Sequence, residues 1–286
     1  SLLEYEDSAE KVKEAYYAYA NSLYNENNYA LAVVYFEKLT KGKGESDTAT
    51  SGDAEIIEEE KTEQDEKVGQ VEEEPEVTLN GKKVYLTFDD GPSAYTEELL
   101  DILDEYDVKA TFFVVAGSME YEDSLKRIVD DGHAIGLHSY SHIYSEIYKD
   151  IASFRTDVKK VHDWVEAVTG VDTRLYRFPG GSACTPTGLE VGKCVGYLKS
   201  NGYEYYDWNA LSGDAEGRGY STSQLISNVM SGVRSNSEDS IVLMHDQNSR
   251  STINMLPELI ETLKSEGYEL VAIDENAPHA HQYTED

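Results

Sequence analysis

The chain has 286 residues, with 24 Lys and Arg against 56 Asp and Glu, a formal charge of −32. That balance excludes nucleic acid and anionic membrane surfaces as partners, since both would be repelled. The length admits one sizeable core and an appendage, and no run is apolar for the roughly 20 residues a bilayer span needs.

Residues 8–39 carry helical periodicity. Tyr16, Tyr19, Ala20 and Leu23 recur on one face, the NENN run at 25–28 interrupts, and Tyr29, Ala32, Val33, Phe36 and Leu39 recur on the next. The run LYNENNYALAVVYFEKL resembles one tetratricopeptide repeat, with Ala20 and Ala32 where the helices would cross. One hairpin cannot build a solenoid, which needs about three repeats to bury a continuous face. Residues 1–41 are read as a docking or spacer hairpin, with a protein as candidate partner, the last repeat of a longer array being the alternative. Residues 42–79 follow as an acidic tether: Glu58, Glu59, Glu60, Glu63, Asp65, Glu66, Glu72, Glu73 and Glu74 meet few bases, a composition that stays solvated.

From residue 80 to 286 the texture changes to short β-rich runs alternating with helical segments. Strands are expected at 84–88, 110–115, 134–137, 175–178, 204–208, 240–244 and 268–272. Helices are expected at 97–105, 125–131, 151–168, 192–201, 223–232 and 254–266. About seven strand–helix units in roughly two hundred residues predict an α/β fold, a distorted (β/α)7 barrel with helices outside. In such barrels reactive groups gather at the C-terminal ends of strands.

Four polar clusters fall at those ends: TFDD (87–90), HSYSH (138–142), RFPGG (177–181) and LMHD (243–246). Asp89 and Asp90 precede Gly91-Pro92, which turns the chain at once. Two acids so close divide their roles: one held by a cation, the other free to move protons. His138 and His142 are four apart, the spacing that sets two imidazoles on one side of a helical turn. Together with an aspartate from another strand end they would make a three-ligand site with open positions. His245 can protonate a leaving group. Arg177 can fix a carboxylate, and the glycine pair leaves amides accessible as an oxyanion site requires. Asp207-Trp208 offers an acid to orient a histidine and an aromatic wall. Taken singly, each cluster also reads as ordinary turn or core.

As an ordered set, TFDDG, HSYSH, RFPGG, DW and LMHD resemble the five motifs of the polysaccharide deacetylases, carbohydrate esterase family 4 (the NodB-homology domain). The resemblance covers about residues 82–273. It implies hydrolysis of acetyl groups on an acetylated polysaccharide with one divalent ion, zinc being expected and cobalt, manganese, nickel or iron the alternatives. It implies Asp89 as base, Asp90, His138 and His142 as metal ligands, Arg177 as partner of the base, Asp207 as the residue tuning the catalytic histidine, and His245 as acid. Trp208 and Leu243 would wall the acetyl pocket and the Gly180 amide would face the oxyanion. The family usually has an aromatic, commonly tyrosine, at the position of Gly180. The segment 183–195, with Cys184 and Cys194, is expected to fill that gap, as a disulfide loop or with free thiols. N-deacetylation of a cell-wall aminosugar, peptidoglycan or chitin-like, is the leading expectation. Xylan O-acetyl esterase activity, or a non-catalytic glycan-binding scaffold, are its rivals. An extracellular or cell-wall location follows from the substrate class alone.

Overall fold

The computed structural model describes residues 81–116, 119–184, 189–247 and 250–283. The expected hairpin at 1–41 and the acidic tether at 42–79 lie outside them.

Eight parallel strands form one sheet: β1 (Lys83–Asp89), β2 (Thr111–Val115), β3 (Ala134–Ser139), β4 (Leu175–Tyr176), β5 (Glu204–Tyr205), β6 (Ala210–Leu211), β7 (Ser240–His245) and β8 (Glu269–Leu270). The order is β5-β4-β3-β2-β1-β7-β6, with β8 paired to the start of β1. Helices α1 (Thr96–Glu105), α2 (Glu122–Asp130), α3 (Tyr144–Ile147), α4 (Ile151–Thr169), α5 (Val191–Ser200), α6 (Thr222–Ser235) and α7 (Ser251–Ser265) lie between the strands, as parallel crossovers require. The sheet curls into a half-barrel, the distorted (β/α)7 barrel expected. Among the described residues no ladder closes β5 onto β6. No described helix is long and apolar enough to cross a membrane.

Side-chain alternation sorts the strands into two cores. Val84, Leu86 and Phe88 of β1, Phe112 and Val114 of β2, and Val242 and Met244 of β7 pack with the helices. Tyr85, Phe113 and Ile241 fill a smaller cluster on the opposite face. Each full burial of a Leu, Val or Phe contributes about 1.5–3 kcal/mol, so this alternation pins the register. On β1 the second set continues through Thr87 to Asp89. The parity that buries Tyr85 thus carries Asp89 to the mouth of the barrel. α4, the longest described helix, starts where Asp150 Oδ1 accepts from Ser153 N (2.8 Å) and ends at Gly170 in the left-handed region.

The periodicity anticipated neither the one-turn helix α3 nor β6, whose two residues pair with Val242 and Leu243 of β7. A two-residue strand has too few positions to show an alternation. Its omission shifts the assignment of one functional aspartate.

Candidate active site

Asp89 ends β1 almost fully buried, and Arg177, following β4, is fully buried beside it. Arg177 Nη1 donates to Asp89 Oδ1 (2.8 Å) and Thr87 Oγ1 (2.6 Å). Nε donates to Tyr206 O (3.0 Å), Nη2 to Asp207 O (3.1 Å), and the guanidinium lies 4.2 Å from the Phe113 ring centroid. A guanidinium committed to four acceptors cannot swing, so it fixes one carboxylate oxygen and leaves the other toward His138, whose Nε2 lies 3.9 Å from Oδ2.

Asp90 comes one residue past the strand, where alternation alone would turn it away. Its φ of +73° reverses the chain and returns the carboxylate to the same side as Asp89. Gly91 follows, and a Cβ there would sit 2.3 Å from Asp246 Oδ2. Asp246 cannot yield, because Ser93 Oγ and Thr96 Oγ1 each donate to it at 2.6 Å. Burial raises its pKa to about 6 against those two bonds. Gly91→Ala is expected to lower stability by about 1–3 kcal/mol, the range for forced overpacking, and denaturant titration checks it.

Nε2 of His138 and of His142 approach Asp90 Oδ1 at 3.5 and 3.2 Å, and the three donors lie within 4.8 Å of one another. The histidines do not meet on a helical turn. His138 belongs to β3, and His142 sits in the loop before α3 with φ +52°. Asp157 of α4 builds that loop, accepting from Ser139 Oγ (2.9 Å), Tyr140 N (3.1 Å) and Ser141 N (3.2 Å). Ser139 Oγ in turn accepts from His142 N (2.9 Å). His138 Nδ1 donates to Arg177 O (2.9 Å), which leaves Nε2 unprotonated toward Asp90.

Burial opposes a charge on Asp90, yet the imidazoles of His142, His138 and His245 and the Gln247 amide hold it below the usual carboxylate range. Gln247 Nε2 occupies Oδ2 (2.5 Å), while Oδ1 is buried without a hydrogen-bond partner. A buried carboxylate oxygen left unpaired and facing two imidazole nitrogens is costly unless a cation completes it. The donor set, two imidazole nitrogens and one carboxylate oxygen, fits a divalent transition ion with open positions.

His245 ends β7, and its Nδ1 partner is Asp214 Oδ1 (2.8 Å), not Asp207. Asp214 Oδ2 also accepts from His245 N (2.8 Å) and Thr252 Oγ1 (2.6 Å). Burial works against the imidazolium, but the Asp214 hydrogen bond and charge, with Asp90 and Asp89 beyond, raise His245 to about 9. Asp207 instead anchors the neighbouring loop, accepting from Ser182 N (2.8 Å), Ser182 Oγ (2.5 Å) and Gln282 N (2.9 Å). The expectation that Asp207 tunes the histidine is therefore corrected in favour of Asp214. The signal lies in LSGDAEG (211–217), a small-residue turn after a short apolar pair, which a strand expected to end at Trp208 leaves outside any element. Asp214→Asn removes the charge that keeps His245 protonated. The basic limb of the kcat profile is expected to move to lower pH in that variant, and a pH–rate series reads the shift. The sign carries over to stability. With the folded pKa above the ordinary 6.5, the pair stabilises fully below pH 6.5 and loses that contribution as pH rises toward about 9.

Gly180 lies in the RFPGG turn with φ +80°. Its amide makes none of the turn's backbone hydrogen bonds, the Gly181 amide being the one that donates to Phe178 O (2.8 Å). The space a side chain would fill is taken by Tyr144 of α3, whose hydroxyl lies 3.0 Å from the position of an added Cβ, with Cys184 Sγ at 3.3 Å. Tyr144 packs edge-on to His142 at 5.6 Å, and burial, with Asp90, Cys184 and Asp89 nearby, raises it to about 12. Among the described residues the space beside Gly180 is thus occupied by Tyr144 of α3 and by Cys184 of the 183–195 segment. Cys184 and Cys194 are free thiols, Cys194 buried in α5, which already begins at Val191. The Trp208 ring centroid lies 5.8 Å from the Arg177 guanidinium, and Leu243 of β7 pairs with Thr87 of β1 and Leu211 of β6. Leu211, Tyr140 and Ile143 are the exposed large hydrophobics among the described residues.

Residues 76–200 match the family model for polysaccharide deacetylase. The putative polysaccharide deacetylase YheN of Bacillus subtilis is 36% identical over 210 residues, 71% of this chain and 71% of that protein. A peptidoglycan-N-acetylglucosamine deacetylase of Bacillus cereus is 32% identical over 212 residues, 70% of this chain and 73% of that one. The crystal structure of the catalytic domain of a peptidoglycan N-acetylglucosamine deacetylase from Eubacterium rectale superposes with a TM-score of 0.67 at 36% identity, covering 74% of this chain and 98% of that chain. A likeness of this extent, in sequence and in fold alike, makes the chain a member of the polysaccharide deacetylase family.

Proposed function

We propose that this protein hydrolyses the N-acetyl groups of cell-wall aminosugar polysaccharide, peptidoglycan N-acetylglucosamine or a chitin-like chain, and releases acetate. The observation that carries the reading is the orphaned Asp90 Oδ1 between two imidazoles, flanked by Asp89–Arg177 on one side and His245–Asp214 on the other. Asp90, His138 and His142 would hold a divalent ion, zinc being the proposed identity, and such an ion would supply Lewis acidity at the acetyl carbonyl and the attacking water. Asp89, its geometry set by Arg177, takes the proton of the attacking water. The Gly180 amide faces the developing oxyanion. His245 then protonates the sugar nitrogen, and the carbon–nitrogen bond breaks to free amine and acetate. An amide nitrogen departs only as a protonated amine, and an imidazole raised to about 9 stays charged through neutral pH; that favours the N-acetyl reading over an O-acetyl one. The polysaccharide substrate places the proposed site of action outside the cell or in its wall.

The test is acetate released from acetylated chito-oligosaccharide, peptidoglycan and acetylxylan, before and after chelation and after zinc is restored. Release from an aminosugar substrate, abolished by chelation and regained with zinc, is expected. Activity on acetylxylan alone, or none on any, would overturn the reading. Tyr144 supplies the aromatic surface beside Gly180 in this account. Tyr144→Ala is expected to reduce kcat/KM roughly tenfold, the equivalent of about 1.4 kcal/mol of lost contact, and Tyr144→Phe much less; steady-state kinetics on the preferred substrate decides.

A further inference from the structure

Away from the catalytic cluster, three donors of metal-ligating type come together, and the hydrolysis uses none of them. Glu204 of β5, His279 and His281 each present one donor atom, all within 4.8 Å of one another. His279 Nε2 lies 3.0 Å from Glu204 Oε1. Ala280, with φ +49°, bends the chain between the histidines. His281 then stacks on Tyr205 (3.8 Å between centroids, 9° between planes) and His279 on Tyr206 (5.2 Å, 25°). Both rings are therefore seated before any ligand arrives.

The tautomer of one ring is set as well. His281 Nε2 lies 2.9 Å from Tyr205 O. A carbonyl only accepts, so the ring proton is on Nε2 and Nδ1 keeps its lone pair. A backbone carbonyl behind the protonated nitrogen is the arrangement that orients histidine ligands. Donors around a tetrahedral zinc stand roughly 3.4 Å apart, given bond lengths near 2.0–2.1 Å. His279 Nε2 and Glu204 Oε1, 3.0 Å apart, already stand near that spacing.

We propose that Glu204, His279 and His281 form a second divalent-cation site that takes a zinc-class ion and clamps the C-terminal segment to the barrel. Two imidazoles and one carboxylate favour zinc, nickel or copper over magnesium or calcium, which prefer oxygen alone. The clamped segment runs on to the loop behind the catalytic turn. Asp207 N donates to His279 O (3.1 Å), Gln282 N to Asp207 Oδ2 (2.9 Å) and Tyr283 N to Ser182 Oγ (2.9 Å). Ser182 follows directly on RFPGG, and its own amide and hydroxyl bind Asp207. An ion here would brace the loop adjoining Gly180 and Arg177 without touching substrate.

The full chain, stripped by chelator and titrated with zinc, is expected to retain a second equivalent after gel filtration, and the thermal midpoint should rise by a few degrees as that equivalent binds. His281→Ala, His281→Gln and Glu204→Gln should each lose the second equivalent and the thermal shift while keeping acetate release at the first. Asp90→Asn, which disables the other site, should still show the shift. A wild-type chain that holds a single equivalent would overturn the proposal. So would a second equivalent that survives in the His281 and Glu204 variants, which would place it elsewhere, for instance on the acidic residues between 53 and 76.

Discussion

Asp89→Asn is expected to fold and to lose turnover by about 10²–10⁴, the usual span for removing a general base. The amide keeps the shape of the carboxylate and an acceptor for Arg177 Nη1, and the guanidinium retains Thr87 Oγ1, Tyr206 O and Asp207 O. What disappears is the ability to take a proton. His245→Ala should lose a similar factor on an N-acetyl substrate because the departing nitrogen then has no donor. The double variant separates chemistry from structure: two groups acting in one proton relay give losses far short of the product of the single losses. Single-turnover acetate release alongside a thermal melt tests both statements. Wild-type rates in either single variant would sink the assigned roles.

Arg177→Ala is expected to have the largest effect on stability. The side chain is fully buried, and its removal strands the Asp89 carboxylate along with the carbonyls of Tyr206 and Asp207. Breaking a buried ion pair from one side costs about 3–5 kcal/mol, equivalent to on the order of 10 °C in midpoint for a domain of this size. Arg177→Lys restores charge but not the fork that reaches four acceptors at once, so only part of the loss should return. Denaturant midpoints for the three proteins decide it. If Arg177→Ala melts like the wild type, the guanidinium is not the keystone of the strand ends.

The amino-acid sequence by itself determined the alternation of strands and helices, the distorted (β/α) barrel class they predict and the chemistry available at its mouth, because those follow from local periodicity and residue type. Asp89, Asp90, His138, His142, Arg177 and His245, each ending or closely following an apolar run, were legible as an ordered set, since any one of their clusters alone also reads as ordinary turn or core. Three things waited for the tertiary structure. Asp214 rather than Asp207 holds the histidine, because a two-residue strand pairs only in the presence of β7 and leaves no period of its own. His138 and His142 converge through a loop tied by Asp157, a residue beyond them in the chain and on helix α4. Tyr144 fills the space above Gly180, a contact between two turns that no spacing encodes. Local pattern dictates which groups reach the barrel mouth; which of them touch is decided by packing across it, where distance in space is unrelated to distance along the chain.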